Sequence, residues 1–193
     1  MFTGIITFQG LVSGKTPETL SVSSPALRET LSLGDSISVN GACLTASSLL
    51  PDGFTADIMP ETWNKTMLGT SREGDEVNLE LAMAASGRFD GHLVQGHVDG
   101  VGTVASVEDA DNSRLVRISL PADLSRFLAP KGSIAVNGVS LTVISAEPTA
   151  FTVGIIPLTW DNTTFHTLRP GDTVNLETDV IAKYVANFLA AKP

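Results

Sequence analysis

Apolar and polar residues alternate in short runs along most of the chain, and Gly, Pro, Asp or Asn interrupts each run. Gly4 to Phe8, Leu20 to Val22, Ser36 to Val39, Phe54 to Ile58 and Glu76 to Glu80 form one series. Gly100 to Val107, Arg114 to Leu120, Ser133 to Val136, Ser140 to Ser145, Phe151 to Ile155 and Thr173 to Glu177 form a second. Period-two runs with regular turn residues predict many short antiparallel strands, arranged as a barrel or a sandwich. Closure into a barrel has the advantage of leaving no free edge. Asn40-Gly41 and Asn137-Gly138 fall between such runs, and both residue types tolerate positive φ, so each pair predicts a tight hairpin. Short helices are predicted where Pro opens a segment, at Ser24 to Arg28 and Pro121 to Ser125, and again at Met59 to Leu68 and Ile156 to Phe165.

After Glu177 the pattern changes. Val180, Ile181, Tyr184, Val185, Phe188 and Leu189 recur at i, i+1, i+4, i+5, i+8 and i+9, one face of a helix. Thr178 or Asp179 is its N-cap, Asp179 being the closer candidate. If each barrel is closed, this apolar face needs another partner. It either packs on its own chain or, the better reading, joins subunits.

The two series are copies of each other. Ser36 to Glu80 returns 97 residues later as Ser133 to Glu177 without insertion or deletion, and 24 of the 45 paired positions are identical. A period this long does not describe a solenoid, so a small domain is duplicated in tandem. The expected boundaries are 1–92 and 93–178 for the two units and 179–193 for the helix. Two similar sites follow, and a division of labour would show where the copies differ.

Composition narrows the partners. Twelve Lys plus Arg against 21 Asp plus Glu give a net charge of -9, which repels phosphate backbones and argues against nucleic acid. The single cysteine, Cys43, precludes an internal disulfide and fits a reducing compartment. No basic n-region precedes an apolar core at Met1 to Thr7, and no run reaches the ~20 apolar residues of a membrane span. The expectation is a soluble, cytoplasmic protein with no membrane partner.

Met-Phe-Thr-Gly-Ile at the start, Val-Asn-Gly-Ala-Cys-Leu-Thr (Val39 to Thr45), Gly-Arg-Phe-Asp-Gly-His-Leu-Val-Gln-Gly-His-Val-Asp-Gly (Gly87 to Gly100) and Lys-Gly-Ser-Ile-Ala-Val-Asn-Gly-Val-Ser-Leu-Thr (Lys131 to Thr142) together resemble the riboflavin synthase family of the alpha-chain type. The likeness covers essentially the whole chain. It implies an all-β fold of two six-stranded Greek-key barrels, a C-terminal helix and a homotrimer. It implies dismutation of two 6,7-dimethyl-8-ribityllumazine molecules by four-carbon transfer, giving riboflavin and 5-amino-6-ribitylamino-uracil, with no metal or redox cofactor. In the family the two ligands meet between the first barrel of one subunit and the second barrel of another. Lumazine synthase is a candidate partner in a larger assembly. Duplication suits the reaction, because two copies of one substrate must be held together in different roles.

The resemblance implies catalytic roles for Ser36, Cys43, His97, Lys131, Ser140 and Asp179. It implies ligand contacts from Phe2, Thr3, Gly4, Ile5 and Ile6, with Phe2 an aromatic wall at the first-barrel ligand. In the first copy it implies contacts from Cys43, Leu44, Thr45, Asp57, Ile58, Met59, Pro60, Glu61 and Thr62, and next from Gly96, His97 and Val98. In the second copy it implies contacts from Lys131, Ser140, Leu141, Thr142, Gly154, Ile155, Ile156, Pro157, Leu158 and Thr159.

The residue chemistry fits several of these roles. A thiol at Cys43, where the other copy has Ser140, can relay a proton or add to an electrophilic ring carbon; otherwise it is a small buried hydrophobe. His97 suits proton transfer. A structural role is the alternative for His97 and the better reading for His92, and a zinc pair lacks further ligands. Lys131, in place of Gly34, offers a cation to a ring carbonyl. Asp179 is either a helix cap or a carboxylate that helps deprotonate an acidic methyl group. Leu158 departs from the pattern: its copy Glu61 can bind ribityl hydroxyls, whereas relatives generally carry a polar residue at the Leu158 position. A lumazine- or flavin-holding protein of the same fold that does not turn its ligand over is the alternative class.

Overall fold

A computed structural model describes residues 1–190. Twelve strands form two closed antiparallel barrels. The first contains β1 (Phe8–Lys15), β2 (Thr19–Ser23), β3 (Ser36–Val39), β4 (Ala42–Leu50), β5 (Gly53–Asp57) and β6 (Glu76–Leu81), in the spatial order β1-β2-β5-β4-β3-β6. The second contains β7 (Gly100–Ala110), β8 (Ser113–Ser119), β9 (Ser133–Val136), β10 (Val139–Ala146), β11 (Ala150–Ile155) and β12 (Thr173–Thr178), joined in the same Greek-key order. The expected barrels are therefore present, and the sandwich alternative is not.

Alternation fills each interior. Along β4, Ala42, Leu44 and Ala46 are buried while Cys43 is half-buried and Thr45 exposed. Phe54, Leu20, Ile37 and Leu79 close the first core, and Phe151, Ile118, Ile134 and Leu176 the second. Chemistry on these strands consequently sits on the outer walls. The Asn-Gly turns have the expected left-handed backbones, with φ 45° at both Asn40 and Asn137 and 82° and 79° at Gly41 and Gly138.

Helix α1 (Pro25–Arg28) matches expectation, as do α2 (Pro60–Lys65) and α3 (Pro157–Asp161), each of the latter two followed by a 3-10 turn. Pro121 to Ser125 forms no α-helix; only a 3-10 turn at Ser125–Phe127 follows it. The C-terminal helix α4 (Val180–Ala190) is capped by Asp179, whose carboxylate accepts from Ile181 N at 2.9 Å. The last three residues of the expected 179–193 segment lie outside the described residues. Lys183 anchors α4 through a 2.7 Å ion pair with Asp99, whose other oxygen accepts from Thr178 N and Oγ1. Ile181, Tyr184, Val185, Phe188 and Leu189 stay exposed.

The expected strand from Gly4 to Phe8 is displaced. β1 starts only at Phe8, because Gly4, at φ 77°, sends the preceding residues onto the other barrel. Phe2 pairs there with Val94 in an isolated antiparallel bridge, and Ser140 N donates to Gly4 O.

Candidate active site

The barrels face each other about a pseudo-two-fold axis, and several hydrogen bonds across it occur in matching pairs. Asn78 Nδ2 donates to Asn137 O, and Asn175 Nδ2 donates to Asn40 O. Asn78 Oδ1 accepts from Thr164 N, and Asn175 Oδ1 accepts from Met67 N. The two hairpins touch at their tips, where a Cβ on Gly41 would stand 2.7 Å from Gly138 N.

Each barrel also receives a short segment belonging to the other half. Cys43 N donates to Gly96 O as Ser140 N donates to Gly4 O. A buried glutamate clamps each segment. Glu177 accepts from Gln95 N at 2.6 Å and Gly96 N at 2.9 Å, and Glu80 accepts from Thr3 N at 2.7 Å and Gly4 N at 3.0 Å. Both carboxyls are held above the usual range, chiefly by burial. Glu177 is pushed up to about 7, against its backbone donors and Lys183. The sequence signal for these residues is Gly-Asp-x-Val-Asn-Leu-Glu, retained in both copies.

The clamped segments complete two cavities. One, of about 520 Å3, is lined by Cys43, Met59, Glu61, Thr62, Gly96, His97 and Val98, with Lys65 and Asp99. The counterpart, about 490 Å3, is lined by Ile6, Thr7, Phe8, Gln9, Leu158, Asp161 and Asn162. Superposing the repeats puts Leu158 where the first cavity has Glu61, and Asn162 where it has Lys65. The equivalence of Gly4 with Gly96 puts Ile5 at the place of His97 and Thr7 at that of Asp99. The first cavity is thus rich in ionisable groups, and the second is neutral or apolar at the matching positions. A further cavity of about 490 Å3, between Asn40 and Asn137, holds none of the expected site residues.

Of the expected catalytic set, Cys43 and His97 line the first cavity, whereas Ser36, Lys131, Ser140 and Asp179 line neither. Burial raises the pKa of the Cys43 thiol, with Glu177 adding to the rise, while the N-terminal charge and Ser36 act in the opposite direction. Cys43 is consequently a thiol at neutral pH. Thr45 lies opposite Ser36 on the same outer wall. Ser140 and Thr142 occupy the matching wall of β10. Lys131 precedes β9 with φ 70°, a left-handed backbone that the other copy provides with Gly34 at 86°. Its N–H donates to Val143 O beside Thr142. Asp57, Met59, Pro60, Ile156 and Pro157 are exposed at the strand-to-helix turns, as is Leu158, while Gly154 and Thr159 are half-buried.

Some expected ligand contacts are placed elsewhere. Phe2 is fully buried against Val94, Ala135 and Cys43, so its ring supports the junction and presents no face as a wall. The side chains of Leu44, Ile58, Leu141 and Ile155 lie in the barrel cores, so only their backbones are available to a ligand. Thr3 Oγ1 donates to Glu80 at 2.8 Å, a structural bond. The expected structural role of His92 has a particular form, since its Nδ1 lies 2.7 Å from Ser140 Oγ. Its pattern in the sequence gives no hint of this, because the contact crosses between units.

The sequence matches the lumazine binding domain over residues 3–82 and again over 95–179. The chain belongs to that family. Full-length relatives include the riboflavin synthase of Mycobacterium tuberculosis, 45% identical over 98% of both chains. That of Actinobacillus pleuropneumoniae is 43% identical over the whole of this chain and 92% of its own, and that of Bacillus subtilis 41% over 98% and 90%. Among solved structures, LumP complexed with 6,7-dimethyl-8-(1'-D-ribityl) lumazine superposes with a TM-score of 0.82 at 25% identity, covering 92% of this chain and 99% of that one. LumP complexed with riboflavin gives 0.84 at 26% identity, with the same coverage.

Proposed function

We infer that this chain is a riboflavin synthase, a transferase that moves a four-carbon unit between two 6,7-dimethyl-8-ribityllumazine molecules to give riboflavin and 5-amino-6-ribitylamino-uracil. The observation that carries this reading is the pair of non-equivalent cavities on duplicated lumazine-binding barrels. One substrate must be donor and the other acceptor, and two sites of common shape but different side chains can bind the same ring while treating it differently. Holding both rings removes the entropic cost of their encounter.

In this reading the first cavity supplies the ionisable groups. Cys43 and His97 face the ring and handle protons or a transient adduct, and Glu61 grips the ribityl chain. Beside the second barrel, Ser140 and Thr142 on the outer wall of β10 bind the other ring and Lys131 stabilises developing negative charge. Asp179 has a capping role already, and its carboxylate also acts on His92 electrostatically. The two cavities are separate within one chain, so bringing two rings together calls for another copy. The exposed face of α4 supplies the contact for a homotrimer, acting in the cytoplasm.

Incubation with pure 6,7-dimethyl-8-ribityllumazine, without added metal or nucleotide, should yield riboflavin and the pyrimidine in equal amounts. Tight fluorescent binding with no riboflavin would replace this reading with that of a lumazine-holding protein.

A further inference from the structure

His92 lies in the segment between the two matched repeats. It is buried, at 7% exposure, in the segment that pairs with Thr3: His92 N donates to Thr3 O. Its Nδ1 lies 2.7 Å from Ser140 Oγ. Its Nε2 is buried and meets no hydrogen-bonding partner among the described residues. Burial holds the imidazole below its usual pKa more strongly than Asp179, at the cap of α4, raises it. At neutral pH the ring therefore carries one N–H and one bare nitrogen.

The environment decides which nitrogen holds the proton. A proton on Nε2 would leave an N–H donor buried without an acceptor, the costlier of the two orphans. A proton on Nδ1 leaves a bare lone pair at Nε2 and lets Nδ1–H donate to Ser140 Oγ. With its oxygen occupied as an acceptor, Ser140 turns its own O–H away from His92, leaving it to donate elsewhere. Cys43, at the matching position, is influenced instead by Ser36 from its own barrel.

We propose that His92 is a positioning residue for Ser140, fixed as the Nδ1–H tautomer so that the Ser140 hydroxyl is a committed hydrogen-bond donor to a ring carbonyl or ring nitrogen of the ligand in the second barrel. The ligand assignment rests on the function proposed above, whereas the tautomer does not. The second site thus presents a donor of fixed polarity, in contrast to the titratable groups of the first.

The tautomer is read directly from the imidazole 15N shifts of the full-length protein labelled on histidine, with His92→Asn used to assign the His92 signals. A protonated Nδ1 and bare Nε2 at pH 7 are expected; a protonated Nε2 overturns the proposal, whether or not the protein makes riboflavin. The second measurement is a mutant cycle on turnover and on affinity for 6,7-dimethyl-8-ribityllumazine. His92→Ala should lower turnover by about 2- to 10-fold, the value of one hydrogen bond. His92→Asn, whose amide can still donate to Oγ, should recover most of that loss. In a Ser140→Ala background His92→Ala should add nothing. Losses that multiply, or an Asn variant as impaired as the Ala variant with the same unfolding midpoint, overturn the positioning role. If either variant fails to fold, the 15N tautomer alone decides.

Discussion

Replacing Glu177 with Ala tests whether the buried glutamate holds the segment that completes the first cavity. Glu177 is 2% exposed, and its two oxygens accept from Gln95 N and Gly96 N at 2.6 and 2.9 Å. Truncation leaves both N–H groups without an acceptor, at roughly 1–3 kcal/mol each. The variant should therefore lose about 2–5 kcal/mol of stability at pH 8. The pH dependence supplies a sharper test. The folded-state pKa, about 7, stands above the ordinary 4.5, so between those values the folded protein keeps a proton that the unfolded chain has released. Stability from this group is fully present below pH 4.5 and is lost as pH rises toward 7, a span on the order of 3 kcal/mol. The deficit of Glu177→Ala should consequently be larger at pH 5 than at pH 8, by roughly 2–3 kcal/mol. Urea unfolding at both pH values, followed by the fluorescence of Trp63 and Trp160, measures it. A deficit below about 0.5 kcal/mol at both pH values would refute the clamp, and an equal deficit at both would refute the raised carboxyl.

Three further outcomes follow from the same geometry. Cys43→Ser should lower turnover by at least ~10²-fold with little change in lumazine affinity, because a hydroxyl still donates a hydrogen bond but replaces the thiol chemistry; near-normal turnover would reduce Cys43 to a lining residue. Gly41→Ala combines a φ of 82° with a Cβ placed 2.7 Å from Gly138 N. It should cost about 1–3 kcal/mol, and a neutral thermal shift would count against tight contact of the hairpins. Ile181→Lys combined with Tyr184→Lys, both on the exposed face of α4, should shift sedimentation toward monomers without changing the secondary structure; an unchanged assembly would place the interface elsewhere.

The barrels are legible in the sequence because alternation reports which side of a strand is buried, and Asn40-Gly41 and Asn137-Gly138 report where it turns. Aligning the two copies also exposes the asymmetries at Cys43, Glu61 and Lys131, since a duplicated domain carries its own reference. What alternation does not report is which barrel a segment packs on. Ile6 reads as strand interior, yet it packs on the core of the opposite barrel, and Phe2 joins the junction core. The His92–Ser140 contact spans 48 residues and crosses between repeats, so no local pattern encodes it. Glu80 and Glu177 look like ordinary strand ends because a charged residue is normally exposed; only their burial shows them to be clamps.

Cys43 and Thr45 alternate along β4 with Ala42, Leu44 and Ala46, so the reactive wall and the hydrophobic filling share a strand but not a side. Selection can therefore exchange outer residues one at a time while the interior keeps the barrel folded. The duplicate copy records that freedom: Ser140 stands in place of Cys43 and Leu158 in place of Glu61, while Val39, Leu44, Phe54 and Leu79 return as Val136, Leu141, Phe151 and Leu176. A scaffold divided in this way lets two sites with a common origin acquire different chemistry without either copy losing its fold.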